Sequence, residues 1–171
     1  MKRLVLLALP VMMMVGCATV PTSEPMTSYQ RIVDVPNVKQ DMVYEGARQW
    51  VAKNFKSANS VIQYQDKTVG SIIGKGNMPY QCSGINCASG IKPSLEFTFK
   101  VDAKDNRARV TFDDLNVHYP AGYSALMGPV AESNYQIYKD EDKAKAKSVL
   151  DATINSLSND IVKSGTIDKN W

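Results

Sequence analysis

Histidine is almost missing from this chain: His118 is its single example. A zinc site takes about four nitrogen, sulfur or carboxylate ligands, so a histidine-built metal centre is excluded. Imidazole acid–base chemistry has one place to reside. Cysteine is sparse as well, with Cys17, Cys82 and Cys87. The longest apolar run, Leu4 to Val15, falls short of the ~20 residues that a helix needs to span a bilayer core. The chain has no Gly-x-Ser-x-Gly nucleophile elbow. Ile73-Gly-Lys-Gly76 lacks the frame of a phosphate-cradling loop. A surplus of one charge is missing too. Lys and Arg number 20 against 17 Asp and Glu, and without Lys2 and Arg3 the balance is 18 to 17. Nucleic-acid binders usually carry a basic stripe, so the expectation is no nucleic acid. These absences argue against an enzyme more than they argue for any activity: no catalytic residue, metal ligand or cofactor is expected.

What is present begins with targeting. Met1-Lys2-Arg3, the apolar run and Gly16-Cys17 have the layout of a secretory signal. Met14-Val15-Gly16-Cys17 resembles the lipobox of bacterial lipoproteins, an apolar residue, a small position, Gly and then Cys. A small residue before the cut admits the peptidase, and the Cys thiol is the nucleophile that takes the diacylglycerol. The resemblance implies that residues 1–16 are a cleaved signal peptide and that Cys17 becomes a triacylated N-terminus holding the chain on a membrane. Residues 17–28, rich in Pro, Thr and Ser, read as a flexible tether. The domain would occupy 29–165, with a tail over 166–171. Ala18 stands where an Asp tends to retain Gram-negative lipoproteins at the inner membrane. By analogy the expected location is the outer membrane, facing the periplasm.

Lipidation of Cys17 leaves Cys82 and Cys87. An exported context favours a disulfide between them, and Gly84 and Asn86 suit the bends of so short a loop. Half of a metal site and a redox pair are the rival readings.

Hydrophobic content of 44% is ordinary for a chain with a packed core. Tyr29 to Val35 reads as a strand. Asn37 and Gln40 have capping-box spacing ahead of a helix over about 38–56, whose Val43, Ala47, Trp50, Val51 and Phe55 share one face. Strands follow over Ser60–Gln65 and Thr68–Lys75, joined by a turn at Asp66-Lys67. Gly70, Gly74 and Gly76 suggest a bulge or a close backbone approach. Asn77 to Pro93 reads as a long loop. Leu95, Phe97, Phe99 and Val101 alternate with polar residues. After a turn at Asp105-Asn106, Val110 and Phe112 begin another inward row. Leu115, Val117 and Tyr119 continue it with shifted parity, which fits a β-bulge at Asp113-Asp114. Pro120 to Asn134 reads as irregular. A second helix opens on Asp140-Glu141-Asp142, where acids favour the dipole, buries Val149, Leu150, Thr153, Ile154, Leu157, Ile161 and Val162, and ends at Gly165. The expected fold is a single α+β domain: an antiparallel sheet of about five strands with two helices on one face, in the order β-α-β-β-β-β-α.

The stretch from Trp50 through Tyr64 to Lys67, with Gly70 and Ile73-Gly-Lys-Gly76, resembles a bacterial domain family of unknown function with a TATA-box-binding-protein-like fold. The resemblance runs roughly from Ile32 to Ile161 and is strongest between Tyr44 and Gly76. It implies the same α+β topology and no catalytic residues. A fold name does not carry DNA binding, because function belongs to sites.

Two irregular segments rich in Tyr, Met, Pro and Gly, Met78-Pro-Tyr80 and Tyr119 to Pro129, suit contacts with a protein or peptide. Tyr80, His118, Tyr119, Tyr123 and Met127 are the candidate binding surface. The leading expectation is a non-catalytic envelope lipoprotein that binds a protein or another envelope component. The competing one is a hydrolase of cell-wall or lipid substrates with His118 as base, Asp113 beside it and Ser124 as nucleophile. Asp113-Asp114 as a cation site is a weaker alternative.

Overall fold

The computed structural model describes residues 23–55, 62–81, 90–124 and 128–165. Cys17, Cys82, Cys87 and Met127 lie outside the described residues, as do both ends of the expected signal peptide. Strand β1 (Ser28–Asp34) leads into helix α1 (Gln40–Asn54), then β2 (Ile62–Asp66), β3 (Ser71–Pro79), β4 (Ser94–Lys104) and β5 (Arg107–Tyr119). Three short strands, β6 (Gly122–Ser124), β7 (Gly128–Val130) and β8 (Ser133–Tyr135), precede helix α2 (Asp140–Gly165). The main sheet is antiparallel in the order β1-β5-β4-β3-β2, with β8 adding to the far end of β5. The expected α+β architecture is therefore correct.

The alternating rows explain the layering. Leu95, Phe97, Phe99 and Val101 on β4 and Val110, Phe112, Leu115 and Val117 on β5 are buried. They meet Val43, Ala47, Trp50 and Val51 of α1 and Leu150, Ile154, Leu157 and Ile161 of α2. The parity shift is a real bulge. Asp114 takes φ 56°, and the β4–β5 register slips between Glu96 and Thr98, so that both halves of β5 point inward. Gly76 is where the close approach falls: a Cβ there would come 2.9 Å from the Phe97 ring and 3.1 Å from Phe55. Gly46 lets the helices touch, since its Cβ would sit 3.0 Å from the Ile161 backbone.

Several boundaries differ from the sequence reading. β3 starts at Ser71 rather than Thr68, because Asp66 Oδ1 accepts the N–H groups of Thr68 at 2.8 Å and Val69 at 3.1 Å and draws them into the turn. The strand then runs on to Pro79, since its ladder with β4 continues through Met78↔Leu95 to Pro79↔Ser94. The supposedly irregular 120–134 contains the antiparallel pair β6 and β7 and the first two residues of β8. Val162 is exposed rather than part of the stripe. The expected Cys82–Cys87 disulfide is withdrawn: no disulfide is present among the described residues, and both cysteines lie outside them.

The capping box does not form. Asn37 adopts φ 64°, and Lys39 holds the cap position without a side-chain bond. The cap comes instead from the β4–β5 turn, where Asp105 Oδ1 accepts the Gln40 N–H at 2.8 Å and Asn106 Oδ1 accepts that of Asn37 at 2.9 Å. Asp105→Ala is expected to cost ~0.5–2 kcal/mol, in line with the loss of a helix cap, read as a lower urea midpoint at unchanged slope.

β1 is clamped to α2 by Asp151, whose Oδ1 accepts from Arg31 at 2.5 Å and from the Tyr29 hydroxyl at 2.8 Å. The Arg31 bond, helped by Tyr29, holds this carboxyl below its ordinary range although burial opposes ionisation. A lowered folded pKa gives stability that is present above the unfolded value and lost as pH falls through the folded one. Asp151→Asn is therefore expected to flatten the acid limb of the stability profile below about pH 4. The effect is small, below about 1 kcal/mol, because the pair is partly exposed to water.

Candidate functional site: a tyrosine-lined cleft at one end of the sheet

The strands have two unlike ends. At one lie the tight turns after Asp66 and Asp105. At the other, β3 and β5 finish at Pro79 and Tyr119, β8 joins, and α2 begins. A cleft of about 380 Å³ opens at this second end, lined by Tyr80, Tyr119, Tyr135 and Tyr138 with Lys139 and Asp142 among others. Val117 and Ile137, both buried, supply its apolar part.

Each tyrosine is set by its own element. Tyr80 follows the last pair of β3 and is 8% exposed. Its N–H bonds the Pro93 carbonyl at 3.0 Å, and its hydroxyl donates to the Asp142 backbone oxygen at 3.2 Å. Burial, then the Asp142 charge, push this hydroxyl far above its usual range, so it is a fixed neutral donor near neutral pH. Tyr119 ends β5 opposite Ser133 of β8, and its ring meets Tyr135 edge-on with centroids 5.6 Å apart. Such pairs favour this T-shaped arrangement. Tyr138 donates to Gln136 Oε1 at 2.7 Å. Tyr135 is 56% exposed, so the aromatic surface runs from the interior out to solvent. Rings backed by fixed polar groups suit recognition of an extended or planar ligand.

Of the residues chosen from sequence, the cleft unites Tyr80 and Tyr119. His118 points to the other face of the sheet, its Nδ1 3.0 Å from Asn134 Oδ1 and 3.8 Å from Glu132 Oε1. Asp113 lies opposite Thr98 and Ser28 instead. Ser124 is fully buried on β6. Tyr123, beside it, is 76% exposed and outside the cleft lining. Tyr135 and Tyr138 were missed. Tyr135 has a sequence signal in its alternation with Asn134, Gln136 and Ile137, and Tyr138 has none. The pairing of β8 with β5 brings Tyr135 to Tyr119, and Tyr138 follows three residues on.

The open face of the sheet carries balanced charge. Asp102 holds Arg109 at 2.7 Å and Lys100 at 3.3 Å and accepts from Ser71 at 3.1 Å. Burial works against its ionisation, but these partners keep its carboxyl below the ordinary range. Asp114 accepts from Thr98 at 2.8 Å. Among the described residues, no group of three or more His, Cys, Asp or Glu is placed to hold a metal ion.

The fold is that of a TBP-like α+β domain. The model of a family described as a domain of unknown function with TBP-like fold, DUF4468, matches residues 29–118, and the chain belongs to that family. None of the curated proteins matches it. Among solved structures, a DUF4468 family protein from Bacteroides ovatus is 13% identical, with 84% of this chain and 88% of that one covered at a TM-score of 0.50. A TBP-like protein from Parabacteroides distasonis is 12% identical, covering 77% and 92% at a TM-score of 0.54. At such identities the likeness concerns the fold.

Proposed function

We propose that this chain is a non-catalytic envelope lipoprotein, acylated at Cys17 and facing the periplasm from the outer membrane, that binds a protein or another envelope component in the tyrosine-lined cleft. The observation that carries the binding role is the convergence of Tyr80, Tyr119, Tyr135 and Tyr138 on one cleft. Tyrosine gives a large, stiff contact area at low entropic cost, and it dominates many recognition surfaces. The near-balance of basic and acidic residues supports a partner other than nucleic acid.

The test is a photo-crosslinking amino acid placed at Tyr135 in the native membrane, with the same group at Val69, exposed at the opposite end, as control. The expected result is a discrete adduct from position 135 only, whose yield falls several-fold in a Tyr119→Ala background. The hydrolase reading makes the opposite forecast. No adduct, together with an activity on wall or lipid substrate that His118→Ala removes, would overturn the binding role.

A further inference from the structure

The first described residues do not hang free of the domain. The Ser23 hydroxyl donates to the Tyr138 carbonyl at 2.7 Å, the Met26 N–H to the Ile137 carbonyl at 2.8 Å, and the Leu115 N–H to the Thr27 carbonyl at 3.3 Å. Met26 is buried. The chain is thus fixed to the sheet from Ser23 onward, and it is fixed beside the cleft. With an anchor at Cys17, six residues of chain separate it from Ser23. At full extension a chain spans at most ~3.6 Å per residue, so six residues give roughly 20 Å. β5 has 13 residues, and at ~3.3 Å each its far end stands roughly 40 Å beyond the cleft end. An anchor at Cys17 therefore keeps one end of the domain near the bilayer and the other away from it.

The near end has the side chains for that place. Tyr123 at 76%, Tyr135 at 56% and Tyr138 at 36% are exposed there. Lys92 and Lys139 are exposed at the same end, together with the acidic Glu132, Asp140 and Glu141, so the rings rather than net charge fit this end to a lipid surface. Tyrosine is enriched at membrane–water interfaces because its ring is apolar and its hydroxyl is wet. The opposite end shows Lys39, Asp41, Lys67 and Asp105 around its turns.

We propose that the cleft end of the domain lies against the lipid surface, with Tyr123, Tyr135 and Tyr138 at headgroup level. This rests on the acylation of Cys17. The cleft, lined by Tyr135 and Tyr138, then faces the headgroup layer, and its occupant is a component held in that layer.

The test uses the full lipidated protein in vesicles of phosphatidylethanolamine and phosphatidylglycerol whose acyl chains are brominated. Tyr135→Trp and Val69→Trp are compared with the parent, whose own tryptophans set the background. The expected result is loss of the added emission at position 135 and none at 69. Equal quenching at both positions, or none at 135, overturns the orientation. Tyr123→Trp, at a more exposed site, gives the same reading if Tyr135→Trp fails to fold. The intact mass of the purified protein is read first. Acyl chains on Cys17 without quenching at 135 refute the orientation alone, and an unacylated Cys17 refutes the anchor and the orientation together.

Discussion

Serine in place of Cys17 is expected to leave the chain unacylated, with residues 1–16 still attached. The thiol of Cys17 is the only nucleophile at the Gly16-Cys17 junction, and a serine hydroxyl is far less nucleophilic than a thiolate. Membrane affinity in such a protein comes from the acyl chains, at ~0.8 kcal/mol for each buried methylene, so several chains hold where one is marginal. Metabolic labelling with an alkyne fatty acid should therefore mark the parent and leave Cys17→Ser blank, and gel mobility should show the longer precursor. A Cys17→Ser chain that matured normally and still took the label would refute the lipoprotein proposal. The folded domain should be unaffected, since among the described residues its core starts at Met26.

Phe99→Ala is expected to be the most damaging of the single substitutions discussed. Phe99 is 2% exposed at the centre of β4, opposite Gly74 on β3 and Phe112 on β5. Its ring stacks on Phe55 with centroids 5.2 Å apart and planes 12° from parallel, and Phe55 meets Trp50 edge-on at 5.4 Å. Truncation removes that contact and leaves a hole between a sheet and the end of α1, which cannot easily collapse. Such changes cost ~3–5 kcal/mol, a fall in Tm of roughly 10 °C for a domain of this size. Ile32→Thr, on the open face at 58% exposure, should shift stability by no more than about 0.5 kcal/mol. Urea melts of the two variants check the contrast, and a mild Phe99→Ala would mean that the aromatic stack is not the centre of the core.

The core was readable because it rests on period. The strict alternation of Leu95 to Val101, and its shift at Asp113-Asp114, follow from the residue pattern alone, and both stand in β4 and β5. The site was half readable. Tyr80 and Tyr119 lie in segments whose composition draws notice, but Tyr135 reaches them through the pairing of β8 with β5, which no local pattern encodes, and Tyr138 follows it into the cleft. His118 misled for a related reason. One residue from Tyr119 in sequence, it lies on the opposite face of a strand, where the period of two puts it. The missed cap has the same origin. Asn37 and Gln40 have the right spacing for a local box, yet the donor at Gln40 is met by an acceptor from another turn.

That borrowed cap bears on the order in which the chain can assemble. Asp105 lies 65 residues after the Gln40 it serves, so α1 cannot draw on this bond while the chain is still emerging and the β4–β5 hairpin is unmade. An isolated helix of about 15 residues is marginal in water. α1 therefore becomes secure only once the hairpin has closed and docked, and the two elements should appear together in the rate-limiting step. Loop-closure entropy then delays the helix as well as the sheet.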